Sequence, residues 1–82
     1  MSNCQNCPLN KVANGDHGCV VSVGGETELR RRLLEMGFTT GVDVYIVRRA
    51  PFGDPIECEL RGYCLSLRAT DAENITLKVR NG

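Results

Sequence analysis

Ile56-Glu57-Cys58-Glu59-Leu60-Arg61-Gly62-Tyr63-Cys64-Leu65-Ser66-Leu67-Arg68 alternates apolar and polar side chains on both sides of a two-residue turn. Period-two alternation is the pattern of a half-buried strand. Arg61-Gly62 sits where a tight hairpin turn needs a residue tolerant of positive φ. If Leu60 faces Tyr63, then Cys58 faces Leu65 and Ile56 faces Leu67. That register puts Cys58 inside and Cys64 outside, so the two thiols lie on opposite faces and do not bond to each other.

Upstream, Pro51-Phe52-Gly53-Asp54-Pro55 breaks the chain, because two prolines, a glycine and an aspartate cannot continue a strand. Before it, Val42, Val44 and Ile46 alternate with Asp43, Tyr45 and Val47 as another strand. Thr39-Thr40-Gly41 is a turn. Glu26 to Met36 is the one clear helix: Leu29, Leu33 and Met36 share a face, and Leu34 and Phe38 widen it. Gly37 stands where a left-handed residue closes a helix. On the outer side, Glu28 precedes Arg32 and Arg31 precedes Glu35 by four residues, a favourable spacing for ion pairs. Arg30-Arg31-Arg32 reads as a solvated face, or less simply as an anion or partner site.

Cys19-Val-Val-Ser-Val23 is a short apolar strand ended by Gly24-Gly25. Downstream, residues 70–74 form a short helical turn with Asp71 or Thr70 as its cap. Ile75, Leu77 and Val79 then mark a last strand. The expected fold is mainly β: a small, partly open barrel of about five strands, with one inserted helix at about 26–36 and a helical turn near 70–74. Residues 1–8 are polar and read as a loop or loosely tethered arm, and residues 9–82 as one domain.

The chain has 82 residues, so it is one small domain near the lower limit of independent stability. It has no Trp, two Phe and two Tyr. Its core is therefore expected from Val, Leu and Ile, with Phe38, Phe52, Tyr45 and Tyr63 as the few large pieces. Formal net charge is zero. That balance disfavours nucleic-acid binding and a polybasic membrane anchor. The opening residues show neither a basic nor an apolar segment of a secretory signal, and no apolar run is long enough to span a bilayer. Five cysteines cannot all pair within one chain. These features fit a reducing cytoplasm.

Catalysis is hard to build from these residues. The single histidine, His17, lies in a glycine-flanked turn, and no nucleophile triad or phosphate-cradling loop accompanies it. No enzymatic function and no required cofactor are expected. Cys4-x-x-Cys7 has metal-ligand spacing, and His17-Gly18-Cys19 offers two more donors, a set that suits tetrahedral Zn or Fe(II). A redox dithiol and a pair of free thiols are the other readings of Cys4 and Cys7. Phe52, with Arg48, Arg49 and Asp54 nearby, is a candidate partner surface. The alternative is that Phe52 folds over the open end of the barrel.

Together the segments resemble the FeoA family. The resemblance rests on Arg32-Leu33-Leu34-Glu35-Met36-Gly37-Phe38, Gly41, the strand to Arg48, Ala50 to Pro55, the hairpin around Gly62, Leu65-Ser66-Leu67-Arg68, Ala72 and Ile75. Thr40 stands where the family most often has proline. The resemblance implies an SH3-like barrel and a cytosolic accessory role in bacterial ferrous-iron uptake. It implies as partner a FeoB-like membrane GTPase, with membrane contact only through that partner. A homodimer through an exposed edge strand is a further expectation. The signature residues are themselves turn and core residues, so they name no chemistry.

Overall fold

Backbone pairing begins earlier than the side-chain pattern predicts. The computed structural model describes the backbone of residues 3–81 and the side chains of residues 6–79. Asn3–Pro8, expected as a loop or loose arm, is strand β1. It pairs antiparallel with the last strand from Asn3↔Asn81 to Pro8↔Thr76. The ladder uses main-chain groups, which is why polar side chains gave no sign of it. A 3-10 turn, Leu9–Lys11, follows. Then come β2 (His17–Val23), α1 (Thr27–Met36), β3 (Asp43–Arg49), β4 (Ile56–Leu60), β5 (Tyr63–Leu67), α2 (Ala69–Ala72) and β6 (Ile75–Asn81).

The strands form one antiparallel sheet in the order β1-β6-β2-β3-β4-β5. The β2–β6 register shifts between Val20 and Ser22, and the β3–β4 register between Ile46 and Arg48. Bulges of this kind sharpen twist and help a sheet curl around its core. The result is the expected partly open barrel, with six strands where the side-chain pattern predicts about five. The edges are β1 and β5.

The hairpin register is the predicted one: Leu60↔Tyr63, Cys58↔Leu65 and Ile56↔Leu67. Arg61 (φ 51) and Gly62 (φ 84) both take positive φ, the signature of the turn whose twist matches paired strands. Cys58 is buried, Cys64 is exposed, and both are free thiols.

One face of every strand between β2 and β6 contributes to the core. Val20, Val44, Ile46, Ile56, Cys58, Leu60, Leu67, Ile75, Leu77 and Val79 are buried there. Leu33 and Phe38 seal it from the helix side, and Leu9, Val12 and Ala72 from the connections. Only one of the four expected large pieces, Phe38, is in the core. Tyr45 lies on the outer face between Val44 and Ile46, Tyr63 sits at the sheet edge, and Phe52 is 98% exposed. In so small a barrel, aliphatic side chains from six strands already fill the interior.

Helix α1 keeps its predicted inner face: Leu33 is buried, with Leu29 and Met36 packed beside it. The expected outer ion pairs Glu28–Arg32 and Arg31–Glu35 do not close. Arg32 instead faces Asp71 at 4.0 Å, and Arg30 Nε donates to the Val23 carbonyl at 3.2 Å. Gly37 ends the helix at φ 114. Its N–H is bonded back to the last turn, and the Phe38 N–H reaches the Leu33 carbonyl at 3.1 Å. The Tyr63 hydroxyl donates to the orphan carbonyl of Met36, fastening the helix end to β5.

Two outcomes follow from this packing. A Cβ at position 37 would lie 2.8 Å from Tyr63 Oη and 3.1 Å from Leu60 Cδ1. Gly37→Ala is expected to cost about 3 kcal/mol in urea unfolding, roughly half from the left-handed backbone and half from displaced neighbours. Gly53→Ala, at φ 85 with open space around it, should show only the backbone part, roughly 1–2 kcal/mol. The second outcome concerns thiols. Burial, and next the neighbouring Cys64, push the Cys58 thiol from 9.0 to about 12. Its folded value exceeds its unfolded one, so its stability contribution is complete below pH 9 and is lost as pH rises from 9 to 12. Cys58→Ala should flatten that alkaline decline in a pH series of denaturation midpoints, and native Cys58 should resist iodoacetamide at pH 8 while Cys64 is alkylated.

Candidate functional site

The segment between β3 and β4 is a projecting turn closed by backbone hydrogen bonds. The Gly53 N–H donates to the Ala50 carbonyl at 2.7 Å, and the Ala50 N–H to the Pro55 carbonyl at 3.1 Å. Pro51 and Phe52 occupy the two central positions of that turn, and Gly53 follows at φ 85. Phe52 is therefore lifted clear of the barrel. The alternative expectation, that it folds over the open end, is overturned by its 98% exposure. The end is already closed by Leu9, Val12 and Ala72.

The three polar residues grouped with Phe52 have internal partners. Arg49 holds the segment after β1: its guanidinium donates to Asn14 Oδ1 at 3.1 Å, to the Asn10 carbonyl at 2.6 Å and to the Val12 carbonyl. Three acceptors suit the several donors that the fork of one arginine presents. Asp54 Oδ1 accepts the Ala69 N–H at 2.9 Å. It thus caps α2 from a distance, where Thr70 or Asp71 was expected to do so, and neither makes a side-chain cap. Arg48 pairs with Glu57 at 2.9 Å on the exposed face, which raises the arginine's pKa. Around Phe52 the side chains are thus scaffold, and the aromatic ring is the part left free.

The N-terminal donors are arranged differently. Cys7 pairs with Leu77, which pairs with Val20, so Cys7 shares the core face and is half-buried. Burial raises its thiol pKa. His17 and Cys19 alternate with buried Gly18 and Val20 and so take the outer face. With Asp43 and Lys78 they line an open cleft of about 430 Å³. The strands therefore bring His17 and Cys19 together and put Cys7 on the other side of the sheet. Cys4 pairs with Arg80 along the backbone, and its side chain lies outside the described residues. Among the described residues no group of three or more His, Cys, Asp or Glu side chains is placed to hold a metal ion. Among them, too, no helix is long and apolar enough to cross a membrane.

Comparison with known proteins agrees with this architecture. The FeoA domain family matches residues 7–79. A fusion of Fe(2+) transport protein A with the Fe(2+) transporter FeoB, from Porphyromonas gingivalis, is 37% identical over 71 residues. That match covers 87% of this chain and 8% of the fusion protein, so the chain spans under a tenth of that relative. A FeoA-like protein from Clostridium acetobutylicum superimposes with a TM-score of 0.84 at 39% identity, over 90% of this chain and 86% of that one. FeoA from Stenotrophomonas maltophilia, an SH3 domain protein solved in complex with zinc, gives 0.75 at 26% identity, over 85% and 87%. With its six-stranded SH3-like barrel and a family match along nearly its whole length, this chain belongs to the FeoA family, which is linked to ferrous iron transport.

Proposed function

We propose that this chain is a non-catalytic accessory of bacterial ferrous iron uptake that acts by binding the cytoplasmic part of a FeoB-type membrane GTPase. The observation that carries the reading is the P. gingivalis relative, in which a region 37% identical to this chain is joined to FeoB in one polypeptide. Covalent joining raises the effective concentration of two modules for each other, which benefits modules that bind. Most of the residues that define the family resemblance serve as core and turns here. Interaction is the function such a scaffold serves best, because it displays loops on a rigid frame.

Phe52 is the contact we assign to that partner. A phenylalanine fully exposed on a pinned turn costs little conformational entropy to bury at an interface. Aromatic anchors of this kind carry a large share of interface energy. Arg48 is the adjoining rim residue. Arg49 and Asp54 act through the shape of the loop.

A second reading, binding of a transition metal such as Zn or Fe(II) through Cys4, Cys7, His17 and Cys19, draws support from the zinc complex of the S. maltophilia relative. It requires β1 to turn Cys7 away from the core.

The two readings predict different results. In a pull-down with the purified cytosolic part of the GTPase, wild-type chain should be retained in at least one nucleotide state. Phe52→Ser should bind about 30-fold more weakly, a loss of about 2 kcal/mol, with its denaturation midpoint unchanged. Retention that ignores the substitution would remove Phe52 from the interface, and no retention in any nucleotide state would remove the accessory role. For the metal reading, protein purified without chelator should carry one metal per chain and lose it in Cys4→Ser and Cys7→Ser; metal-free protein at neutral pH would end that reading.

A further inference from the structure

The edge strand β5 leaves a defined set of backbone groups unpaired. In a two-residue hairpin the flanking pair, here Leu60 and Tyr63, exchanges both hydrogen bonds, and bonded and non-bonded pairs then alternate. The register runs without a shift to Ile56↔Leu67. The N–H and C=O groups of Cys64 and Ser66 therefore point away from β4, to the open side of the sheet. Among the described residues no strand meets them there.

Sheet edges are usually guarded by a lysine, a proline or a bulge that discourages a further strand. The sequence of β5, Tyr-Cys-Leu-Ser-Leu, carries none of these. Beside it runs a shallow cleft of about 220 Å³, lined by Val47, Glu57, Cys64, Leu65 and Ser66. The two carboxylates of β4 on this face differ. Glu57 is neutralised by Arg48 at 2.9 Å. Glu59 is exposed and accepts a hydrogen bond from the Cys64 thiol at 3.7 Å, with no cation within 4.0 Å among the described residues.

We propose that β5 is a strand-addition site for an extended, basic segment of a partner protein. The main-chain groups of Cys64 and Ser66 hold the added strand, an apolar side chain enters the cleft beside Val47, and a lysine or arginine reaches over Cys64 to Glu59. Charge selects this occupant. A second copy would lay neutral Cys64 or Ser66 beside the edge, leave Glu59 unpaired, and join two carboxylate-bearing faces into one sheet. The site is distinct from the Phe52 loop and does not depend on the transporter reading.

The test is titration of the isotopically labelled full chain with the peptide acetyl-Thr-Val-Thr-Lys-Thr-amide, whose valine and lysine share one face of a strand, and its Glu-for-Lys counterpart, at low salt. The lysine peptide should slow amide exchange at Cys64 and Ser66 about fivefold or more, and bind about fivefold more tightly than the glutamate peptide. Glu59→Lys should reverse that preference, and the milder Glu59→Gln should abolish it if the lysine variant unfolds. Three outcomes overturn the proposal: equal binding of both peptides, shifts that spare Cys64 and Ser66, or protection of those amides that rises with protein concentration in the absence of peptide. The last would assign the edge to a second copy.

Discussion

The closure of helix α1 at Gly37 governs how this chain folds. A left-handed residue there turns the chain so that Phe38, the one large aromatic of the core, drops inward. The same turn brings the Met36 carbonyl under the Tyr63 hydroxyl of the edge strand. A single junction thus couples the helix, the aromatic plug and the β4–β5 hairpin. A side chain at position 37 would oppose all three at once, because it would fall where Tyr63 Oη and Leu60 Cδ1 already are. In a domain this small few other contacts are available to compensate.

The far end of the hairpin is fixed by polar reach instead of packing. Arg49 draws the segment after β1 against the barrel, and Asp54 caps α2. These bonds hold the turn between β3 and β4 at both of its ends, and they leave Phe52 presented outward. Holding the loop matters physically, since a backbone already pinned by hydrogen bonds loses little further freedom when a partner binds there. The barrel can therefore be understood as a mount: its interior is apolar, and it presents one loop aromatic and one open sheet edge outward.

The parts legible in the sequence were those with a local period or a local turn requirement. The hairpin register could be read because alternation and Arg61-Gly62 point to the same pairing. The helix and its end could be read from the spacing of Leu29, Leu33 and Met36 and from Gly37. What escaped were contacts between residues far apart in the chain. Arg49 meets carbonyls 37 and 39 residues away, and Asp54 reaches an N–H 15 residues away. Neither leaves a mark on its neighbours in sequence. Strand β1 was missed because a main-chain ladder makes few demands on side chains at a sheet edge. Its placement also changed the view of the cysteines. Cys-x-x-Cys has ligand spacing on a loop, but on a paired strand Cys7 turns to the core while His17 and Cys19 stay outside. Phe52 carried both possibilities in sequence, and only the filled barrel end shows that it has no place within.

The proposed contact between Phe52 and a FeoB-type transporter can be tested in cells. The most direct measurement replaces Phe52 in this chain with a photo-reactive phenylalanine analogue, irradiates intact cells that also produce the transporter, and identifies what is joined to it. A covalent adduct with the transporter's cytosolic part is expected from position 52, and none from the same analogue placed at exposed Arg31 on the outer face of α1. An adduct from position 31 and none from position 52 would contradict it.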